Sequence, residues 1–354
     1  MKLRFWRYEL ALAHRWTIAR ELNSSGGGGT TTYPVVFVEL TSKEGISGLG
    51  EAAPSARYSE TVDQVAAFLE LINPYQLSFS DVPGSMAYVN GITPGHFAAK
   101  GAINQALLDG AARLAQRPLY DFLGLGFTEG RHVTSFSIGI DTPEMIERKT
   151  REAAIYPVLK LKVGSPQDRE NLAALRAAAP QKWVRVDANE AWKTRETALQ
   201  QLEWLAQDGR IQFVEQPMPA TTPAEDLAWL KARSPLPMMA DESYVYAGDL
   251  ARCVGLFDAV NVKLVKTGGI TRGLEALRAA RQAGLKTMLG CMIESSILIS
   301  AAAHLAELTD YLDLDGNLLI TNDPFRGVIV REGILSFAPA PVHVGLCVQP
   351  AQPA

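Results

Sequence analysis

Residues 158–164 read VLKLKVG, and a short apolar run ending in charge returns four times downstream. The repeats are VRVDANEAW at 184–192, FVEQP at 213–217, MADES at 239–243 and VNVKLVKTGG at 260–269. Runs rich in Val, Ile, Leu or Met are what strands look like in a parallel sheet with both faces buried. Asp187, Glu215, Asp241 and Lys263 each close one run, at intervals of 28, 26 and 22 residues. Each interval has room for one strand–helix repeat. In a barrel of such repeats the C-terminal strand ends converge on one mouth, where the chemistry is kept. One charge at a strand end says little, but a series at repeat spacing points to a site.

Outward from this core, strands are expected at 134–140, 157–163, 183–187, 211–215, 236–241, 258–263, 286–291 and 311–315. Amphipathic helices fill the gaps, for example 168–179, 194–207 and 271–283. Alternating strands and helices give a parallel sheet. Eight strands in about 180 residues favour a closed α/β barrel over an open doubly wound sheet. No GxGxxG opens a helix after a first strand, which lowers a dinucleotide-binding reading further.

Upstream lie a strand over 2–12, a hairpin of 34–42 with 46–52, and helices near 60–72 and 97–116. SSGGGGTTT between them reads as a flexible loop. Residues 1–125 are therefore expected to form an α+β domain, and 126–327 the barrel. Residues 328–354 are expected to return to the first block, with a strand over 328–338.

The chain has 354 residues and 47% hydrophobic content, enough for a barrel plus a smaller domain. Its net charge of −4, with no long basic run, argues against nucleic-acid and anionic-membrane partners. Cys253, Cys291 and Cys347 are too few and too scattered for a disulfide framework and suit a reducing cytoplasm. The N-terminus has scattered charges and no secretory pattern. A small-molecule partner is expected, with no membrane contact; a homo-oligomer stays open.

Asp187, Glu215 and Asp241 offer hard anionic oxygens, a donor set that suits Mg²⁺. Read singly, each is equally an N-cap or an ion-pair partner. Asn189 and Glu242 stand beside two of them and could brace the ligands. Lys160 and Lys162 share one strand face, and two inward ammonium groups should lower each other's pKa towards the range of a base. Lys263 lies about four repeats on, across the mouth, so a bound carbon could meet one base on each face. Lys266 reads as a structural ion-pair residue.

Two further motifs remain. In GCMIESS (290–296), Glu294 is either a substrate contact or a helix cap. In YLDLDGN (311–317), Asp313 and Asp315 read either as an exposed turn at Asp315-Gly316 or, pointing inward together, as an anionic pocket with no evident protein cation. A substrate ammonium would neutralise it.

The ordered series KLKVG, RVDANEAW, FVEQP, MADES and NVKLVKTGG resembles the enolase superfamily, in its muconate-lactonizing-like subgroup. GLGEAAPSARYSET (48–61) and AKGAINQALLDGAARLAQRPLYDFLG (99–124) look like that family's capping domain. The resemblance spans nearly the whole chain. It implies a modified (β/α)7β TIM-like barrel under an α+β cap. It also implies one Mg²⁺ on Asp187, Glu215 and Asp241, with Lys162 and Lys263 as the acid–base pair and Lys160 in support.

Within the subgroup, GCMIESS followed by the Asp313–Asp315 pair resembles dipeptide epimerases of the L-Ala-D/L-Glu type, in which the pair holds the dipeptide's ammonium. The implied reaction is 1,1-proton transfer through an enediolate. Arg20, in HRWTIARE before the glycine run, matches an arginine that meets an acidic substrate side chain in such enzymes. The glycine run itself departs from the family. o-Succinylbenzoate synthase or N-acylamino acid racemase activity stays open, as does a catalytically silent barrel.

Overall fold

The computed structural model describes residues 1–22 and 29–351. Residues 23–28 of the glycine run lie outside the described residues. β1 (Lys2–Trp16), β2 (Thr30–Thr41) and β3 (Ser47–Ala52) form an antiparallel sheet in that order. The run Val35–Val38 in β2 is buried on both faces. Phe325, from the C-terminal part of the chain, meets Phe37 edge-on at 4.9 Å.

The helix Phe97–Leu114 covers the sheet, and every residue from Ala98 to Ala112 is buried. Its sequence, AAKGAINQALLDGAA, has small residues on several sides because it packs on two bodies at once. A Cβ at Gly48 or Gly50 of β3 would stand 2.0 Å from the Ala106 or Ala102 carbonyl oxygen. On its other side Asn104 Nδ2 donates to Thr271 Oγ1 of the barrel at 2.8 Å. A Cβ at Gly101 would stand 3.1 Å from Gly269 N, so close backbone approach helps join cap to barrel as well.

The eight expected barrel strands are all present: β4 (Phe136–Ile138), β5 (Val158–Lys162), β6 (Trp183–Asp187), β7 (Ile211–Glu215), β8 (Met238–Ala240), β9 (Ala259–Val262), β10 (Lys286–Gly290) and β11 (Tyr311–Asp313). Neighbours in this order pair in parallel. The ring closes by a parallel bridge between Thr134 and Leu312, where Ser135 N donates to Leu312 O at 3.1 Å. Lys162 pairs with Asp187 and Asp187 with Glu215, so three charges share one layer at the mouth. Helices between strands start where caps allow. The Thr142 side chain accepts from Met145 N ahead of the helix Pro143–Glu152, with a proline in the first turn.

Two expectations are corrected. The β8–β9 connection has no α-helix; a 3-10 helix, Ala247–Arg252, fills it. Residues 328–338 are not one strand but a hairpin, Ile329–Arg331 with Ile334–Ser336. Its turn residues, Glu332 and Gly333, both have positive φ, as a two-residue hairpin loop favours. The C-terminal segment does meet the first block: the rings of Phe337 and Tyr120 lie 5.4 Å apart, Leu119 N donates to Gly345 O at 2.7 Å and Arg113 Nη2 to Val348 O at 2.7 Å. No helix among the described residues is long and apolar enough to cross a membrane.

His304 is fully buried where the two blocks meet. Its Nδ1 accepts from Tyr120 N at 3.2 Å, and its ring stacks on Phe337 at 4.4 Å. Burial pushes its pKa down to about 3. Because the folded pKa lies below the unfolded 6.5, the unfolded chain takes up the proton first. Stability is intact near neutrality and falls as pH drops through 6.5 towards 3. Acidification to pH 5 should cost about 2 kcal/mol from this residue. In denaturant melts, His304→Gln should flatten that acid limb; an unchanged slope removes the assignment.

Candidate active site

Each strand end delivers one group to the mouth. One oxygen from each of Asp187, Glu215 and Asp241 lies within 4.8 Å of the others, and all three residues are buried. Asn261 Nδ2 donates to Glu215 Oε1 at 2.8 Å. Asn189 N donates to Asp187 Oδ1 at 2.9 Å. Gln216 Oε1 accepts from Asp241 N at 2.9 Å. The backbone turns sharply just past β6 and β7, where Asn189, Glu190 and Gln216 all have positive φ. Strain of this kind clusters at functional sites. Three hard carboxylates braced by amides form a set that one divalent cation fits.

The lysines enter from opposite walls. Lys162 Nζ donates to Asp187 Oδ2 at 2.6 Å and Lys263 Nζ to Asp241 Oδ2 at 2.9 Å. β5 and β9 stand four strands apart in a ring of eight, so the two ammonium groups face the mouth from opposite sides. Both line one cavity of about 120 Å³, closed from the cap by Trp16, Arg20 and Tyr58. Lys266 holds Asp241 from behind, at 2.5 Å from Oδ1 and 2.7 Å from its carbonyl. It is the buried ion-pair residue expected.

Charge inside this site does not follow the simplest expectation. Lys160 lies 2.7 Å from Asp313 Oδ2, 2.7 Å from Glu215 Oε2 and 3.1 Å from Asp187 Oδ2. The Glu215 contact is an ion pair without hydrogen-bond alignment, since Oε2 has no such partner among the described residues. Burial alone would lower Lys160, but Asp313, Glu215 and Asp187 hold it well above the ordinary lysine range. Lys263 behaves alike: burial lowers it, and Asp241 and Glu215 lift it further. Mutual lowering therefore does not govern Lys160. Burial, then Asp187, pushes Glu215 up to about 7. Burial would raise Asp241 too, yet Lys263 and Lys266 hold it well below the usual carboxylate range.

The Asp313–Asp315 pair is also corrected. A protein cation does neutralise one member, because Lys160 reaches Asp313, and Ser135 Oγ donates to its other oxygen at 2.7 Å. Asp315 is left with Ser137 N at 2.6 Å on one oxygen and the Cys291 thiol at 3.6 Å on the other. Burial, then Asp313, pushes its pKa up to about 6. Both aspartates line the cavity.

Glu294 is not among the described residues lining that cavity. Its Oε1 accepts from Met292 N at 2.9 Å, bracing its own loop, and burial with Glu51 pushes it up to about 8. Arg20 does line the cavity, but its guanidinium is already engaged. Nη1 donates to Glu242 and, at 3.2 Å, to Glu190. Glu242 thus serves Arg20 rather than the carboxylate cluster. Ser135, Ser137, Arg57, Glu190, Gln216 and Asn261 escaped the sequence reading. Only the two serines carry a local signal, being two apart with Ser137 on the first barrel strand and Ser135 just before it.

Comparison with known families matches residues 13–124 to the N-terminal domain of mandelate racemase / muconate lactonizing enzyme and residues 144–335 to the enolase C-terminal domain-like family. An L-Ala-D/L-amino acid epimerase of Pedosphaera parvula is 59% identical over 99% of both chains. An L-Ala-D/L-Glu epimerase of Bacteroides thetaiotaomicron is 39% identical over 96% of this chain and 86% of its own length. Among solved structures, a dipeptide epimerase from Enterococcus faecalis complexed with Mg and the dipeptide L-Leu-L-Tyr superposes with a TM-score of 0.88, at 30% identity over 98% of both chains.

Proposed function

This chain belongs to the mandelate racemase / muconate lactonizing enzyme family, and from that premise we propose that it is a Mg²⁺-dependent dipeptide epimerase, an isomerase that inverts the α-carbon of the dipeptide's C-terminal residue. One observation carries the proposal: Lys162 and Lys263 flank a buried carboxylate triad from opposite walls of one cavity. The epimerase relatives support it. We take residues 1–125 as the cap, 126–327 as the barrel and 328–354 as the closing segment. Scattered free cysteines support a cytoplasmic setting.

Asp187, Glu215 and Asp241 would hold the metal, which supplies positive charge beside the substrate carboxylate, where negative charge gathers as the α-proton leaves. With a cation bound, those carboxylates would be less available to Lys162 and Lys263, and burial would then weigh more on Lys263, in the direction a base requires. One lysine takes the α-proton from one face, and the other delivers a proton to the opposite face. Lys160 stays beside the triad and stabilises the enediolate's charge. Asp315, with Asp313, takes the dipeptide ammonium.

A second reading, N-acylamino acid racemase or o-succinylbenzoate synthase, draws on the Lys160–Asp313 pair, which leaves only one aspartate in want of a cation. Exhaustive chelation should abolish epimerisation of free dipeptides, and added Mg²⁺ should restore it. Full turnover after chelation sinks the metal role. Turnover of N-acylated amino acids alone hands the assignment to the second reading.

A further inference from the structure

The geometry points to Glu242 as a selectivity residue: by holding Arg20 it turns the cavity towards uncharged side chains on the reacting residue and away from acidic ones. This rests on the epimerase reading. The four substituents of the reacting carbon have separate destinations. The carboxylate goes to the triad on β6–β8, the amide nitrogen leads towards β11, and the proton faces a lysine. The side chain is left with the cap-side wall, where Arg20 and Glu242 line the cavity.

That wall is electrically closed. Arg20 is shared between Glu242 and Glu190. Arg57 grips Glu190 bidentately, Nε to Oε2 at 2.8 Å and Nη2 to Oε1 at 2.8 Å. Two guanidinium groups meet the carboxylates of Glu242 and Glu190, and Glu21, lining the same cavity, adds a further negative charge beside Arg20. A side-chain carboxylate reaching Arg20 must displace Glu242, whose side chain is only 1% exposed and whose Oε2 has no hydrogen-bond partner among the described residues. Stranding that buried anion is costly. An amide or apolar side chain leaves the pairing intact. A mere latch between cap and barrel would use the same bonds but would not discriminate among substrates.

The test compares kcat/KM for L-Ala-L-Gln and L-Ala-L-Glu, which differ in charge and scarcely in shape. The native enzyme should prefer the glutamine dipeptide by about tenfold or more. Glu242→Gln leaves Arg20 with Glu190 as its remaining partner of the two and should move that ratio at least about tenfold towards glutamate, whatever happens to absolute rates. Glu242→Asp should keep the native preference. Should Glu242→Gln fail to fold or turn over, Glu190→Gln must move the ratio in the same direction. A native preference for glutamate overturns the inference, and so does a variant that slows both dipeptides equally. In those outcomes dipeptides are still epimerised, which separates them from failure of the epimerase reading, where none is.

Discussion

Lys162→Ala and Lys263→Ala should each lower epimerisation by on the order of 10³-fold or more, because each removes one of two proton-transfer groups. Inversion needs both faces of the carbon served, so neither lysine can replace the other. The loss should fall on kcat, since neither side chain is needed to hold the substrate's carboxylate or ammonium. Lys160→Ala should behave differently. It strips a cation from between Asp187, Glu215 and Asp313, three anions then crowd one buried layer, and stability should fall together with activity. A melt separates the two cases: the Lys162 variant is expected to stay folded under conditions where the Lys160 variant loosens. If either the Lys162 or the Lys263 variant epimerises at a near-native rate, the two-base assignment is wrong.

Asp315→Asn should cost free dipeptides on the order of 10²–10³-fold in kcat/KM, the usual loss when a buried charge partner is truncated. Ser137 N occupies one oxygen of this carboxylate, and Lys160 is spent on Asp313, so a substrate ammonium is the partner Asp315 still wants. N-acetylation of the dipeptide should cost the native protein a similar factor, and the two losses should not add. Since Asp315 is pushed up to about 6, KM should rise as the pH falls below that value and the carboxylate takes its proton. Asp313→Asn should instead disturb Lys160. Equal rates for free and N-acetylated dipeptides contradict this role for Asp315.

What the sequence disclosed was the part written in charge and period. Lys162, Asp187, Glu215, Asp241 and Lys263 each close an apolar run, so strand order and mouth are legible in the sequence. Relations across the ring were not. Lys160 and Asp313 are 153 residues apart and meet only because β11 closes beside β4. Arg57 and Glu190 lie 133 residues apart, on separate blocks. Nothing local marks such a pair, which is why Arg20 looked free for substrate and Asp313 looked unpaired. Ser135 has no charge to announce it, yet its hydroxyl holds Asp313, and Asp315 is held by the backbone N–H of Ser137, which no side chain marks. The Glu332-Gly333 turn is a local signal, and it breaks the 328–338 stretch into a hairpin.

Deuterium exchange in the two lysine variants tests the proton-transfer account most directly. Each variant, loaded with Mg²⁺, is given pure L,L- and pure L,D-dipeptide in D₂O, and the C-terminal residue's α-proton is followed by mass spectrometry and NMR. Lys162→Ala should exchange the α-proton of one epimer only, and Lys263→Ala that of the other only, each without forming its opposite. Exchange of the same epimer by both variants, or of both epimers by either, contradicts two lysines acting on opposite faces of one carbon.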